Sequence, residues 1–181
     1  ADFNIRELSG SLKGKGDPIS MPDINNIPGP NTNDKMGWST QLSADGNRLV
    51  VGTPWYDDGV TTDTGRVDTY EWDGETWQSI GSPVLGDDAP SLFGMDILLS
   101  GDGNTLVVGT PSTDYVDHPG HIDIYQFDEE TSDWLAKGNP VLGVTSDFGT
   151  GWNVQLSADG NTMVVGVPYA DVTGEDTGAV D

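Results

Sequence analysis

The chain has 181 residues, with 7 basic against 30 acidic side chains, a formal net charge of −23, 25 Gly, 11 Pro and no Cys. Such an acidic surface argues against nucleic-acid partners and anionic membranes and favours cations and basic partners, and without cysteine there is no disulfide framework. No run of about 18 apolar residues occurs, so no membrane insertion is expected, and the start lacks a signal-peptide pattern, as a mature chain with its signal removed also would.

In chain order, residues 1–35 read as the second half of a repeating unit followed by an insertion. Phe3 and Ile5 match Tyr125 and Phe127, while Leu12, Gly16 and Pro18 match Trp134, Gly138 and Pro140. The Pro- and Asn-rich "MPDINNIPGPNTNDK" that follows is expected as a surface loop. Residues 36–92 and 93–149 are two full repeats, and residues 150–181 are the first half of another, closing on "GAVD", which matches "GHID" at 120–123. Residues 1–181 thus form a single repeat region, cut inside a repeat.

One line recurs in each repeat: "LSADGNRLVVGTP" at 42–54, "LSGDGNTLVVGTP" at 99–111 and "LSADGNTMVVGVP" at 156–168. Ser43, Ser100 and Ser157 are spaced by 57 residues, a period that marks a stacked or radial repeat architecture. Before each turn the apolar positions alternate, at Trp38 and Leu42, at Met95, Ile97 and Leu99, and at Trp152, Val154 and Leu156, which predicts a half-buried strand. Asp-Gly then supplies a tight turn, and "LVVG" or "MVVG" is a short apolar run suited to a strand covered on both faces. The turn role fully accounts for Asp45, Asp102 and Asp159. Two further strands follow in "GRVDTYEWDGETWQSIGSPVLG" and "GHIDIYQFDEETSDWLAKGNPVLG". Four turn-linked antiparallel strands per repeat make one blade of a β-propeller, so the expected fold is all-β, with about three blades. Propellers close with more blades than three, so either self-association or the remainder of a longer propeller is expected to cover the ends.

Phe93-Gly94 opening a repeat, with "VVGTP" at 107–111, resembles the FG-GAP repeat of integrin α-chain propellers and their secreted bacterial and algal relatives. Met36 replaces the Phe in the first copy, and Phe148-Gly149 is offset in the third, where Thr150 precedes Gly151. The resemblance implies a propeller at the cell surface or outside the cell, engaged in adhesion. The family's calcium loop precedes the Val-Gly-Ala-Pro stretch; here that place holds a short turn with too few carboxylates for a calcium cage, and the site is not carried over.

A different acidic loop follows each Gly-x-Pro. Asp57, Asp114 and Asp171 recur there, with Asp58, Asp63, Asp117, Glu175 and Asp176 nearby. Loops on one rim of a propeller converge, so Asp57, Asp63, Asp114, Asp117, Asp171 and Asp176 are candidate ligands for a divalent cation, with Ca²⁺ suited to oxygen donors. The plainer reading is that each Asp begins a turn and solvates the rim. His118 and His121 beside Asp114, Asp117 and Asp123 could hold a transition metal or lie in a solvated loop. Trp55, Tyr56, Tyr115 and Tyr169 are candidate contacts for a glycan or a protein partner, or pack within their loops; Trp38, Trp72, Trp77, Trp134 and Trp152 are expected mostly to pack between blades.

Neither a nucleophile elbow, a phosphate-binding Gly loop nor a recognisable triad is present. The expectation is therefore a non-enzymatic, extracellular or cell-surface propeller module for adhesion or protein interaction, with cation dependence. Its alternatives are a structural subunit joined through open blade ends and a lectin-like binder.

Overall fold

The computed structural model describes Ile27, residues 29–87, 91–111, 120–143 and 149–168, Ala170 and residues 177–180. Thirteen strands lie among them. The first sheet holds β1 (Ser39–Leu42), β2 (Arg48–Thr53), β3 (Arg66–Trp72), β4 (Trp77–Ser79) and β5 (Val84–Leu85). The second holds β6 (Asp96–Leu99), β7 (Thr105–Thr110), β8 (His121–Asp128), β9 (Asp133–Ala136) and β10 (Val141–Leu142); the third holds β11 (Asn153–Leu156), β12 (Met163–Val167) and β13 (Ala179–Val180). The fold is all-β, every named strand pair is antiparallel, and no helix occurs among the described residues. The matches drawn for residues 1–26 lie outside the described residues.

The repeated line folds the same way each time. Ser39 pairs with Gly52, Asp96 with Gly109 and Asn153 with Gly166, so the hairpin register is the same in all three sheets. The turn explains why. Ser43 Oγ donates to Asp45 Oδ1 at 2.6 Å and accepts from the Arg48 amide at 2.9 Å, while Asn47 N donates to the same carboxylate at 2.9 Å. Ser100, Asp102, Asn104 and Thr105 repeat that network, and so do Ser157, Asp159, Asn161 and Thr162. Every residue type in Ser-x-Asp-Gly-Asn is thereby used by the turn itself.

The expected fourth strand is broken in two. β4 and β5 both pair with β3, and β9 and β10 both pair with β8. The breaks fall at Gly81 and Pro83 and at Gly138 and Pro140, where proline has no amide to give the ladder.

Two apolar cores lie between the sheets. Val50 and Val67 of the first sheet meet Ile97, Leu106 and Val108 of the second; Leu98, Val107 and Ile122 on the other face of the second meet Val154, Val165 and Val167 of the third. The closest backbone approach between sheets involves the first strands, β1 beside β6 and β6 beside β11, together with second strands against first. On the hairpin-turn side the turns are bonded in series, Ala44 N to Gly101 O at 2.8 Å and Gly101 N to Ala158 O at 2.7 Å. Ser39 Oγ donates to Gly94 O at 2.8 Å, and Val154 N donates to Asp96 Oδ2 at 2.8 Å.

Burial along the first strands differs from the expected alternation. β6 is sandwiched and Ile97 is 1% exposed, whereas β1 has a described sheet on one side only and Leu42 is half exposed. The tryptophans divide for the same reason. Trp134 is buried between sheets and donates Nε1 to Thr69 Oγ1 at 2.8 Å. Trp72 and Trp77 pair edge to face at the outer edge of the first sheet. Trp38 and Trp152 are about half exposed, and Trp38 stands edge-on to Trp55 of its own repeat.

Candidate functional site

The loop joining β2 to β3 carries four of the predicted site residues, Trp55, Tyr56, Asp57 and Asp63. Its path is fixed by main-chain bonds: Tyr56 N to Thr53 O at 3.2 Å, Gly65 N to Tyr56 O at 3.3 Å, and Ser91 N and Leu92 N to Asp63 O at 3.2 and 3.3 Å. The last two tie the loop to the opening of the second repeat.

Aromatic and charged groups gather along it. Trp55 stands edge-on to Trp38, with centroids 4.7 Å apart, and the Lys35 ammonium lies 4.2 Å from the Trp55 centroid. The Arg66 guanidinium lies 5.2 Å from the Tyr56 ring and grips both carboxylate oxygens of Asp68, which raises its pKa further above its ordinary value. A cation over an aromatic face is a modest attraction at a wet surface, so these contacts orient the rings rather than anchor the fold.

The acids of the loop differ in environment. Asp58 closes an Asx turn, accepting from Val60 N and Thr61 N at 2.8 and 2.7 Å, and those amides hold its carboxyl below the usual range. Asp57 Oδ1 accepts from the Asp63 amide at 2.8 Å. The Asp63 carboxyl is pushed up by burial first and by neighbouring Asp57 and Asp34 after it, against the opposing pull of Lys35. Asp63 also holds φ at 54°, a left-handed conformation unusual for a residue with a side chain. Asp34 is 2% exposed, and its Oδ2 is buried without a hydrogen-bond partner.

Asp34, Lys35 and Trp38 were not among the sequence candidates. They sit at the end of the Pro/Asn insertion and just after it, and no periodicity connects them to a loop twenty residues on. Asp114, Asp117, Asp171, Asp176, Tyr115, Tyr169 and His118 lie outside the described residues. His121 Nε2 is 3.0 Å from Asp123 Oδ2. Among the described residues, no group of three acidic, His or Cys side chains is placed to hold a metal ion.

No protein-family model and no curated protein matches the chain. Solved structures do. One, from Bacteroides uniformis ATCC 8492 and described as a "putative 6-phosphogluconolactonase", is 17% identical, with a TM-score of 0.53 over 78% of this chain and 37% of its own. Another of the same description, from Bacteroides fragilis NCTC 9343, is 18% identical, with a TM-score of 0.49 over 70% of this chain and 30% of its own. The chain spans about a third of the length of the structures it resembles. At such identities the likeness is one of fold.

That likeness corrects the expectation of a non-enzymatic adhesion or interaction module, because the fold is shared with a protein named as an enzyme. The lack of a local catalytic motif does not exclude chemistry on such a scaffold. Loops of separate repeats can assemble a site whose members are far apart in sequence.

Proposed function

We propose that the three sheets are successive blades of a β-propeller, and that this propeller is an enzyme scaffold with its chemistry on the rim formed by the loops between second and third strands. The repetition of one inter-sheet contact carries the blade reading. Gly94 meets Gly52 and Gly151 meets Gly109 where the lead-in to one sheet's first strand crosses the second strand of the sheet before it, while Trp134 is the long side chain that bridges farther out. Close contact near the first strands and looser contact outside it fit a radial arrangement. The resemblance to the FG-GAP repeat fits the same reading, since Phe93 is buried between sheets and Gly94 makes the close approach.

The likeness to a fold named for a lactonase supports hydrolysis of a cyclic ester as the reaction class. Water adds to the ring carbonyl, a base takes its proton, and an acid returns one to the departing ring oxygen. Asp63 is the described group best fitted to hold and release that proton. It is a raised-pKa carboxyl beside a second carboxylate, on a strained residue of the loop that also carries Trp55 and Tyr56. A phosphorylated substrate suits this chain poorly: it has only 7 basic residues, and Arg48 and Arg66 already hold Glu129 and Asp68. A neutral lactone is the better fit.

Hydrolysis of glucono-δ-lactone, followed by base consumption at constant pH, tests the proposal. The expected result is a rate above spontaneous hydrolysis, slower turnover of the phosphorylated lactone, and a loss of about a hundredfold in Asp63→Asn. No acceleration, or full activity in the variant, contradicts it.

A further inference from the structure

Asp34 is a buried carboxylate that the hydrogen bonds of the fold leave unused. It is 2% exposed, and its Oδ2 is shut from solvent with no hydrogen-bond partner among the described residues. Buried charges are ordinarily paired or bonded, and an orphaned one is a sign of a task other than folding. Asp58 and Asp73 show the ordinary arrangement, each accepting two main-chain amides of its own turn.

The backbone is strained around this carboxylate. Asn33 and Lys35, on either side of Asp34, hold φ at 75° and 57°, a left-handed conformation that side chains disfavour. Asp63 at 54° and Leu92 at 53° are strained in the same sense, and the Leu92 amide donates to Asp63 O. Among the described residues only Ser132 shares this conformation elsewhere, so the strain is gathered at one place.

Contacts fix the strained turn against the loop between β2 and β3. Asn31 Nδ2 reaches Asp57 O at 3.4 Å, the Lys35 ammonium lies 4.2 Å from the Trp55 centroid, and Trp38 stands edge-on to the same ring. Asp57 in turn accepts the Asp63 amide. Asp34 lies between the two anchors Asn31 and Lys35, which places its carboxylate against the loop that carries Asp63.

The groups around Asp63 are of two kinds. Its own loop brings Asp57 and Asp58, the strained turn brings Asp34 and Lys35, and the opening of the second repeat brings the neutral amides of Ser91 and Leu92. Asp58 is exposed and tied to two amides, so water and those dipoles screen it. Asp34 Oδ2 has neither water nor a donor, and its field reaches its neighbours undiminished. After burial, the charges that act on Asp63 are accordingly Asp57 and Asp34, which favour its protonated form, and Lys35, which favours its ionised form.

We propose that Asp34 and Lys35 are positioning residues of the Asp63 site: the strained turn holds a buried, unbonded carboxylate and an ammonium against the loop, and together they set when Asp63 keeps its proton and when it gives it up. The inference rests on the reading of Asp63 as the proton carrier and assigns the control of that proton to a segment outside the repeats.

NMR of the Asp63 side-chain carboxyl through a pH titration, beside the pH–rate profile with glucono-δ-lactone, tests this with three variants that remove a charge. Asp34→Asn keeps the shape of the side chain and is expected to lower the Asp63 midpoint and to carry the matching limb of the pH–rate profile to lower pH. Lys35→Met is expected to move both upward. Asp58→Asn, which removes a screened charge, is expected to leave both in place. A merely structural role for Asp34 lowers turnover or the urea midpoint without moving the titration. An Asp63 midpoint that stays in place in Asp34→Asn overturns the inference, as does an equal movement in Asp58→Asn. Where circular dichroism shows that Asp34→Asn does not fold, Lys35→Met decides, because a midpoint that fails to rise in it overturns the inference. The titration needs no turnover, so the two readings fail separately. Midpoints that move as expected in a chain that does not hydrolyse the lactone uphold the coupling and contradict the hydrolytic reading, whereas hydrolysis with unmoved midpoints does the reverse.

Discussion

The hydroxyl of Ser100 both donates to Asp102 and accepts from the buried amide of Thr105, in a side chain that is 1% exposed. Removing it leaves a buried donor without its partner, so Ser100→Ala is expected to cost about 1–2 kcal/mol in urea unfolding. Ser157→Ala breaks the same bonds in a more exposed turn, where water replaces them, and its loss is expected to be smaller. The serine bond comes first among the causes that hold the Asp102 carboxyl below its usual 3.8. A carboxyl lowered on folding contributes stability above that value and loses it as pH falls through the folded pKa. Asp63 and Asp96 work in the opposite sense. Burial raises both, so their charged forms oppose folding, and acidification toward their raised values relieves that opposition. The urea midpoint is therefore expected to rise as pH is lowered through the raised values of Asp63 and Asp96, and to fall below about pH 3.8 as the lowered carboxyls are protonated in their turn. Asp96→Asn keeps an acceptor for Val154 N and removes the buried charge, so it is expected to be neutral or stabilising at pH 7, whereas Asp96→Ala is destabilising.

At the scale of the strand and hairpin, the glycines of β2 and β7 set how closely sheets approach. Gly109→Val places a side chain against Gly151 backbone, and such overpacking is expected to cost about 3 kcal/mol or more, read as a lowered midpoint in chemical unfolding. Trp134→Phe keeps most of the packing and loses the bond to Thr69, for an expected cost of about 1 kcal/mol. These elements differ in how far the sequence announces them. The three hairpins are legible because Ser-x-Asp-Gly-Asn encodes the turn locally and alternation encodes the faces. The exposure of Trp38 and Leu42 was not legible, because it depends on which strand has a sheet beyond it, a fact of position that identical residues cannot carry. The loop between β2 and β3 was legible only in part: Asp57 recurs at the repeat spacing, whereas Asp63 does not, and Asp34 and Lys35 act on Asp63 from a loop with no period. The broken fourth strand could have been read from Pro83 and Pro140, each of which removes a ladder donor.

Across the described residues, the repeated line is scaffold, and its three copies differ in burial according to whether a described sheet packs on them. Arg48 illustrates how the stack is locked at one interface only. It sits at the start of β2, bonds Gly103 O and Asn104 Oδ1 on the second sheet, and has Glu71 and Glu129 within 3.5 and 3.3 Å, where the second and third repeats place Thr105 and Thr162. The packing of the three sheets depends on their turns being bonded in series. Amide hydrogen exchange at Ala44, Gly101 and Ala158 tests that dependence most directly. The stacked arrangement predicts strong protection of Ala44 and Gly101, whose amides bond the next turn, and faster exchange of Ala158, whose amide has no such turn among the described residues. Equal, rapid exchange at all three positions would mean that the turns stand alone in solution, and the stacking account would fail.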